Sequence, residues 1–335
     1  MVHEGAPFAL DASAGPRLAS IVMPVKDAGP GLPELLAGLR EQRWTGRAEL
    51  VAVDSGSSDG TVDTLRDFGA TVLAIGPGEF DHGLTRMAGA RRARGQILVF
   101  ATQTMRPAGH HWLGGLVEAL DADPLVAGAS SRLVPHEDAD PLTRLDAERE
   151  ASYSTAPSRR VIDDRAAYRA LGPDELRALA HFHTVSCAIR AEALERVPFR
   201  SVTTIGEDLQ WGKDALEAGM AIVHEPRSVA RHSHPYGFDE LLGRNFDDGV
   251  AAREVVGSRL SGETLLGHIG AQVDRDLDHL RGELGLEGAE LEHWEREAVS
   301  RRTAQLVGQW LGTNADQLPE GALAAFSLAR RRARS

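Results

Sequence analysis

The sequence predicts an α/β protein, with a mostly parallel sheet flanked by helices and a C-terminal helical extension. Three observations predict it. Short apolar runs alternate with helix-spaced segments four times within about the first 100 residues, the pattern of βαβ units. Lys26, Asp54, Asp59 and Gln103 all fall just past the ends of apolar runs, where such sheets bind ligands. From about residue 255 the periodicity becomes purely helical. A chain of 335 residues, 42% hydrophobic and 26% charged, supplies ample core for this architecture.

Residues 1–17, rich in Ala, Gly, Pro and Asp, read as a flexible leader. The run 19–25 reads as a buried strand, and Leu32, Leu35, Leu36 and Leu39 space a helix after it. A second strand, 50–53, ends at Asp54. The polar turn Ser55-Gly56-Ser57-Ser58-Asp59-Gly60-Thr61 then opens a helix near 62–68. Strand 71–75, a Gly/Pro turn, a helix over 84–94 and strand 96–102 complete the first part.

The middle of the chain is less regular. A helix is expected after Trp112 and a strand near 126–133, while the charged stretches 136–149 and 159–165 suit a mobile loop. Order returns at 184–190. Gly206-Glu207-Asp208 opens a helix to about 218, and a strand at 220–224 precedes Arg231-His232-Ser233-His234-Pro235-Tyr236. Leu266, Ile269, Val273, Leu277, Leu280 and Leu284 form one stripe, read as a packed helix or a homodimer face. A second helix is expected through Leu291, Trp294 and Ala298 and a third near 306–311, followed by an Arg-rich solvated tail.

The charge balance, 37 − 49 = −12, argues against a general nucleic-acid binder. No run approaches the ~20 apolar residues a membrane span needs, and no secretory signal is visible. A single cysteine, Cys187, excludes an internal disulfide and a multi-cysteine zinc site. A cytoplasmic location is the expectation, with contact between the Arg-rich end and an anionic membrane surface left open.

Three constellations can carry chemistry. Asp54 and Asp59, on a Ser/Gly turn at a strand end, can accept from a ribose hydroxyl and a base N–H; the plainer reading is an Asp-capped turn. Neither a Gly-x-Gly-x-x-Gly fingerprint nor a Gly-x-x-x-x-Gly-Lys loop accompanies them. Glu207-Asp208 is either a helix cap or a general base. His232 and His234 can donate to phosphate, and are a weak zinc signal. Trp112, Tyr153 and Trp211 are candidate walls of an acceptor pocket.

The stretch Ile21-Val22-Met23-Pro24-Val25-Lys26-Asp27, followed by Val53-Asp54-Ser55-Gly56-Ser57-Ser58-Asp59-Gly60-Thr61, resembles family 2 of the inverting nucleotide-sugar glycosyltransferases, which have the GT-A fold. Glu79-Phe80-Asp81-His82-Gly83-Leu84-Thr85-Arg86, Thr102-Gln103, Gly206-Glu207-Asp208 and His232-Ser233-His234 resemble its bacterial rhamnosyltransferase-like branch. The resemblance covers about residues 18–250. It implies a nucleotide-sugar-binding half at 18–104, an acceptor-binding half at 105–254 and a helical region at 255–335.

By this resemblance Asp54, Ser55, Gly56 and Asp59 hold the nucleoside, with Pro24 and Lys26 beside the base. Phe80, His82, Arg86 and Gln103 lie near the sugar diphosphate, and His232, or next His234, closes over it. Asp208 is the base, with Glu207 its neighbour and an acceptor contact.

One departure stands out. Thr104 occupies the place where the family carries a carboxylate for Mg²⁺ or Mn²⁺. A neutral hydroxyl is a poor ligand for a hard cation, so metal-independent transfer is expected, a metal held by other groups being the alternative. The implied reaction moves a sugar from a thymidine, uridine or guanosine diphosphate donor to a hydroxyl or amine of a glycan, lipid-linked or small-molecule acceptor. Two other readings compete. One is a catalytically decayed GT-A scaffold. The other is a sugar-1-phosphate nucleotidyltransferase, which the loop Pro24-Val25-Lys26-Asp27 does not support.

Overall fold

The computed structural model describes residues 2–6, 8–9, 17–76, 78–319 and 321–334. Within the expected leader, strands β1 (Val2–His3) and β2 (Phe8–Ala9) add to the sheet. Residues 1, 7 and 10–16 of the leader lie outside the described residues.

Strands β3 (Leu18–Val25) and β4 (Arg47–Asp54) are buried on both faces, as unbroken apolar runs in a parallel sheet must be. Helix α1 (Leu32–Arg40) connects them and buries Leu32, Leu35, Leu36 and Leu39. Next come α2 (Thr61–Phe68), β5 (Thr71–Ala74), α3 (His82–Arg92) and β6 (Ile97–Ala101). β5, β4, β3 and β6 run parallel in that order, so their carboxyl ends line one edge.

The second half continues the same sheet. Its elements are β7 (Arg106–Pro107), α4 (Trp112–Asp121), β8 (Val126–Val134), α5 (Pro141–Arg149), β9 (Ser158–Arg160), α6 (Arg165–Arg169) and α7 (Pro173–Ala180). They are followed by β10 (Ser186–Arg190), α8 (Ala191–Arg196), α9 (Glu207–Glu217) and β11 (Ala221–Arg231). β10 pairs antiparallel with both β6 and β8, joining the halves into the order β1-β5-β4-β3-β6-β10-β8-β11-β7. One apolar core packs α1 and α4 on one face, and a second packs Phe182, Phe199 and Trp211 on the other.

Helices α10 (Phe238–Val256), α11 (Leu265–Gly282) and α12 (Gly288–Thr313) finish the structure, with the short α13 (Ala322–Phe326) and α14 (Leu328–Arg334). The two helices expected over 291–298 and 306–311 are one continuous helix. α10 and α12 meet backbone to backbone: a Cβ on Gly312 would stand 2.1 Å from the Phe246 carbonyl oxygen.

Two expectations are corrected here. The charged stretch 136–149 is not a loop along its length; α5 fills most of it. Its Asp146 and Arg149 reach α11 and α12, where Asp276 accepts from Arg149 and from Arg302 at 2.6 Å each, and Arg302 and Arg301 also bind Asp146. The Arg-rich end is not a solvated tail. Leu328 is buried, the Ala329 amide donates to buried Asp247 at 2.8 Å, and Arg332 pairs with Glu240. Among the described residues no helix is long and apolar enough to cross a membrane.

Candidate active site

The carboxyl edge of β3, β4 and β6 is stitched together by the residues the sequence singles out. The Asp54 carboxylate, buried at the end of β4, accepts the Ser57 amide at 3.1 Å and the Gly56 amide at 3.2 Å, closing the turn. Ser55 bonds the Val25 carbonyl through its amide at 3.0 Å. Asp59 accepts from the Gly29 amide at 2.9 Å and from the Thr61 hydroxyl at 2.6 Å, which holds its carboxyl below the usual range. Asp27, at φ 43°, accepts the Ser58 amide at 2.7 Å. The loops after β3 and β4 are therefore one preorganised rim, with Pro24 in β3 and Lys26 at its end.

Gln103 is the first correction within the site. Its amide donates to the Lys26 carbonyl at 2.9 Å and accepts the Lys26 amide at 2.8 Å, so it latches β6 to β3 instead of facing a ligand. Thr102 and Thr104 stand beside it with hydroxyls 3.5 Å apart. This donor set is neutral and partly spent, and does not fit Mg²⁺ or Mn²⁺, which take charged oxygen ligands.

At the start of α3, Asp81 caps the helix by accepting the Leu84 amide at 2.7 Å and the Ser201 hydroxyl at 2.5 Å. Phe80 meets His82 edge-on, ring centroids 4.9 Å apart. Arg86, expected to reach phosphate, is instead buried: it donates to the His82 carbonyl at 2.8 Å and pairs with Glu207 at 3.2 Å. Glu207 is equally enclosed and accepts the Thr184 hydroxyl at 2.9 Å, so it does not contact an acceptor. Burial opposes its ionisation, but Arg86, His82 and the Thr184 hydroxyl outweigh that and hold its carboxyl below the usual range.

Asp208, the next residue, keeps solvent-accessible surface. Gly206 before it sits at φ +107°, the left-handed region, with no room for a Cβ beside Ala251, and so sets the angle at which α9 begins. The Leu209 amide donates to Asp208 at 2.8 Å, yet burial, and after it the charge of Glu207, push its carboxyl up to about 7.

The remaining members meet at Arg244 on α10. Its charge acts on His82, Asp208, His232 and His234, so all four lie in its neighbourhood. Asp248 first, then Tyr236 and Asp208, stabilise its cation. Its side chain is 47% exposed. Burial drives His232 well below its ordinary pKa and takes His82 and His234 down to about 4, so all three are neutral at pH 7. His136, missed within the charged stretch, ties this loop to the segment that follows β6. Its ring bonds the Thr104 carbonyl at 3.1 Å, and its amide donates to Ser233 at 3.1 Å.

Two of the three aromatic acceptor walls, Trp112 and Trp211, are corrected. Trp112 and Trp211 are each 1% exposed, with indole N–H groups bonded to Ser186 and the Val197 carbonyl, and both are core residues. The Tyr153 ring lies under the Arg132 guanidinium, 4.6 Å from its centroid.

With this geometry in place, comparison with known proteins is informative. The profile described as glycosyl transferase family 2 matches residues 20–198, more than half of the chain. The O-antigen chain rhamnosyltransferase RfbN of Salmonella typhimurium is 29% identical over 233 residues, covering 69% of this chain and 71% of its own. The O-antigen chain rhamnosyltransferase WbaN of Salmonella anatum is 28% identical over 205 residues, 61% and 62% of the two chains. Among solved structures, the mannosyltransferase PcManGT from Pyrobaculum calidifontis, in complex with GDP-Man and Mn²⁺, superposes with a TM-score of 0.54 at 17% identity, covering 90% of this chain and 89% of that one. The glucosyl-3-phosphoglycerate synthase of Mycobacterium tuberculosis, with Mg²⁺ and UDP, gives 0.52 at 17% identity over 76% and 84%. These structures share the fold.

Proposed function

The chain belongs to glycosyl transferase family 2 and is a glycosyltransferase of GT-A fold; from that premise we propose an inverting transfer from a nucleoside-diphosphate sugar, with Asp208 as the base. The observation that carries this reading is the place of Asp208, partly exposed in the first turn of α9 beside buried Glu207, where burial and then the Glu207 charge push its carboxyl up to about 7. A carboxylate of that basicity is matched to a proton taken from a hydroxyl near neutral pH.

In this reaction the acceptor oxygen attacks the anomeric carbon on the face opposite the diphosphate. Its proton passes to Asp208. The carbon–oxygen bond to the diphosphate breaks, the electron pair leaving with the nucleoside diphosphate, and the anomeric configuration inverts. The rim formed by Lys26, Asp54 and Asp59 receives the nucleoside. Arg244 and the N–H groups of neutral His82 and His232 meet the charge that grows on the leaving group, as preorganised donors do. Glu207, locked to Arg86, positions Asp208 and keeps it basic. The likeness to rhamnosyltransferases favours a deoxyhexose donor such as rhamnose.

The test pairs Asp208→Asn with a titration of nucleoside diphosphates, each in EDTA and in Mn²⁺. Turnover is expected to fall about 10²–10⁴-fold with donor affinity preserved, and binding to be the same in both buffers. Wild-type turnover by the variant would remove Asp208 as the base. Binding confined to Mn²⁺ would show a metal held by other groups.

A further inference from the structure

A cavity of about 520 Å³ is walled by α5 and α7 together with α10, α11 and α12. Glu150 enters it from the end of α5, Arg177 from α7, Asp248 from α10, Gln272 and Arg275 from α11, and Gln309 from α12. Two independent contacts tie it to the surroundings of Asp208. The first is packing: Leu176, beside Arg177, and Leu209, beside Asp208, lie on the same apolar cluster of α10. The second is charge. Asp248 bonds the Arg244 guanidinium at 3.1 Å, the Arg244 charge reaches Glu150, and Asp208 helps to stabilise the same cation.

Part of the wall is consumed by the fold itself. Arg149 and Arg302 each bond Asp276 at 2.6 Å, and Gln305 donates to Asp146 at 2.9 Å. The rest is unspent. Among the described residues, the side chains of Glu150, Arg177, Gln272, Arg275 and Gln309 enter no hydrogen bond and no ion pair. The Arg177 charge reaches Glu150, yet these opposite charges, both in the wall, do not pair. The free groups are two guanidiniums, two carboxamides and a carboxylate, planar groups that offer donors or acceptors in twos at fixed angles. Neighbouring hydroxyls, which donate and accept at once, satisfy such a mixed set. A phosphate would meet Glu150 and Asp248, and a cation would meet Arg177 and Arg275, so a charged ligand of either sign is opposed. The volume lies in the range of small-molecule sites.

We propose that this cavity is a carbohydrate-binding site that holds a neutral sugar ring by its hydroxyl groups. Its role in catalysis rests on the transfer reading above, whereas the binding itself is measured without turnover. The ring has two sources, the acceptor of the reaction or a glycan bound apart from it, and kinetics tell them apart. In either case α11 and α12 are part of ligand recognition.

The unspent side chains supply the test, because replacing them removes no bond of the fold. One variant combines Gln272→Leu with Gln309→Leu, which keeps the volume and removes both carboxamides. The other is Arg177→Met. Calorimetry would titrate each protein with neutral mono-, di- and trisaccharides of rhamnose, mannose, galactose and glucose, and with inorganic phosphate. The expected result is binding of at least one neutral glycan by the wild type, weakened ten-fold or more in both variants at unchanged Tm. Equal binding by wild type and variants, no glycan binding by the wild type, or binding of phosphate alone would overturn the site. Nucleoside diphosphate release from donor and glycan is measured separately. A raised KM for the glycan at unchanged kcat in the variants identifies the ring as the acceptor's, and an unchanged KM identifies a glycan bound apart. Absence of release alongside variant-sensitive glycan binding would count against the transfer reading and leave the site standing.

Discussion

Asp208 and Glu207 show how two adjacent carboxylates acquire different tasks. Glu207 faces Arg86 and stays ionised, while burial and, after it, the Glu207 charge raise Asp208. The expected kcat profile therefore climbs through an apparent pKa near 7 and levels above it, and the limb disappears in Asp208→Asn. The same shift has a stability consequence of opposite sense. A carboxyl whose pKa is raised by folding holds a proton that the unfolded chain releases, so stability falls between about pH 4 and pH 7 as it ionises. Asp208→Asn should thus raise Tm at pH 8 by a few degrees while cutting turnover, a trade expected of a residue kept for activity. Arg86→Met does the reverse. It leaves the Glu207 charge buried and unpaired, at a cost of about 3–5 kcal/mol in a denaturant titration at pH 7. The Gly206-Glu207-Asp208 motif was legible from sequence because its residues are contiguous. The role of Arg86 was not, since its partner lies far along the chain, and a charged residue in a helix start reads equally well as a phosphate donor.

At the level of elements, the apolar runs that became β3, β4 and β6 were legible because buried parallel strands leave no other place for them. Helix α5 was hidden for the opposite reason. Its Asp146 and Arg149 resemble solvated charges until Asp276, Arg301 and Arg302 are brought to them from α11 and α12. Trp112 and Trp211 were misread because an isolated aromatic residue has the same appearance in a core and at a rim. The seam between α10 and α12 yields a direct prediction. In Gly312→Ala the new methyl meets the Phe246 carbonyl oxygen, so the helices must separate. A loss of about 1–3 kcal/mol is expected by denaturant titration, the usual range for overpacking.

For the molecule as a whole, neutral histidines set the acid limit. Burial lowers the pKa of His82, His181, His183, His224, His232 and His234. Each protonates more readily when unfolded, so their contribution is complete above about pH 6.5 and is lost as pH falls toward 4. Thermal melts from pH 7.5 to pH 5 should show a steep drop in Tm beginning near pH 6.5, and a slope unchanged by replacing two of the six with Gln would contradict this. Cys187 lends itself to another use. It lies fully enclosed in β10, between β6 and β8, and burial pushes its thiol above the ordinary range. As the chain's sole cysteine, it should stay dark to maleimide dyes until the sheet itself opens. Pairs of cysteines placed on α5 and α12 would then be the only addressable points on the native protein, and a fluorescent ruler strung between them would read the seam that Arg301 and Asp146 hold shut, without any background from within.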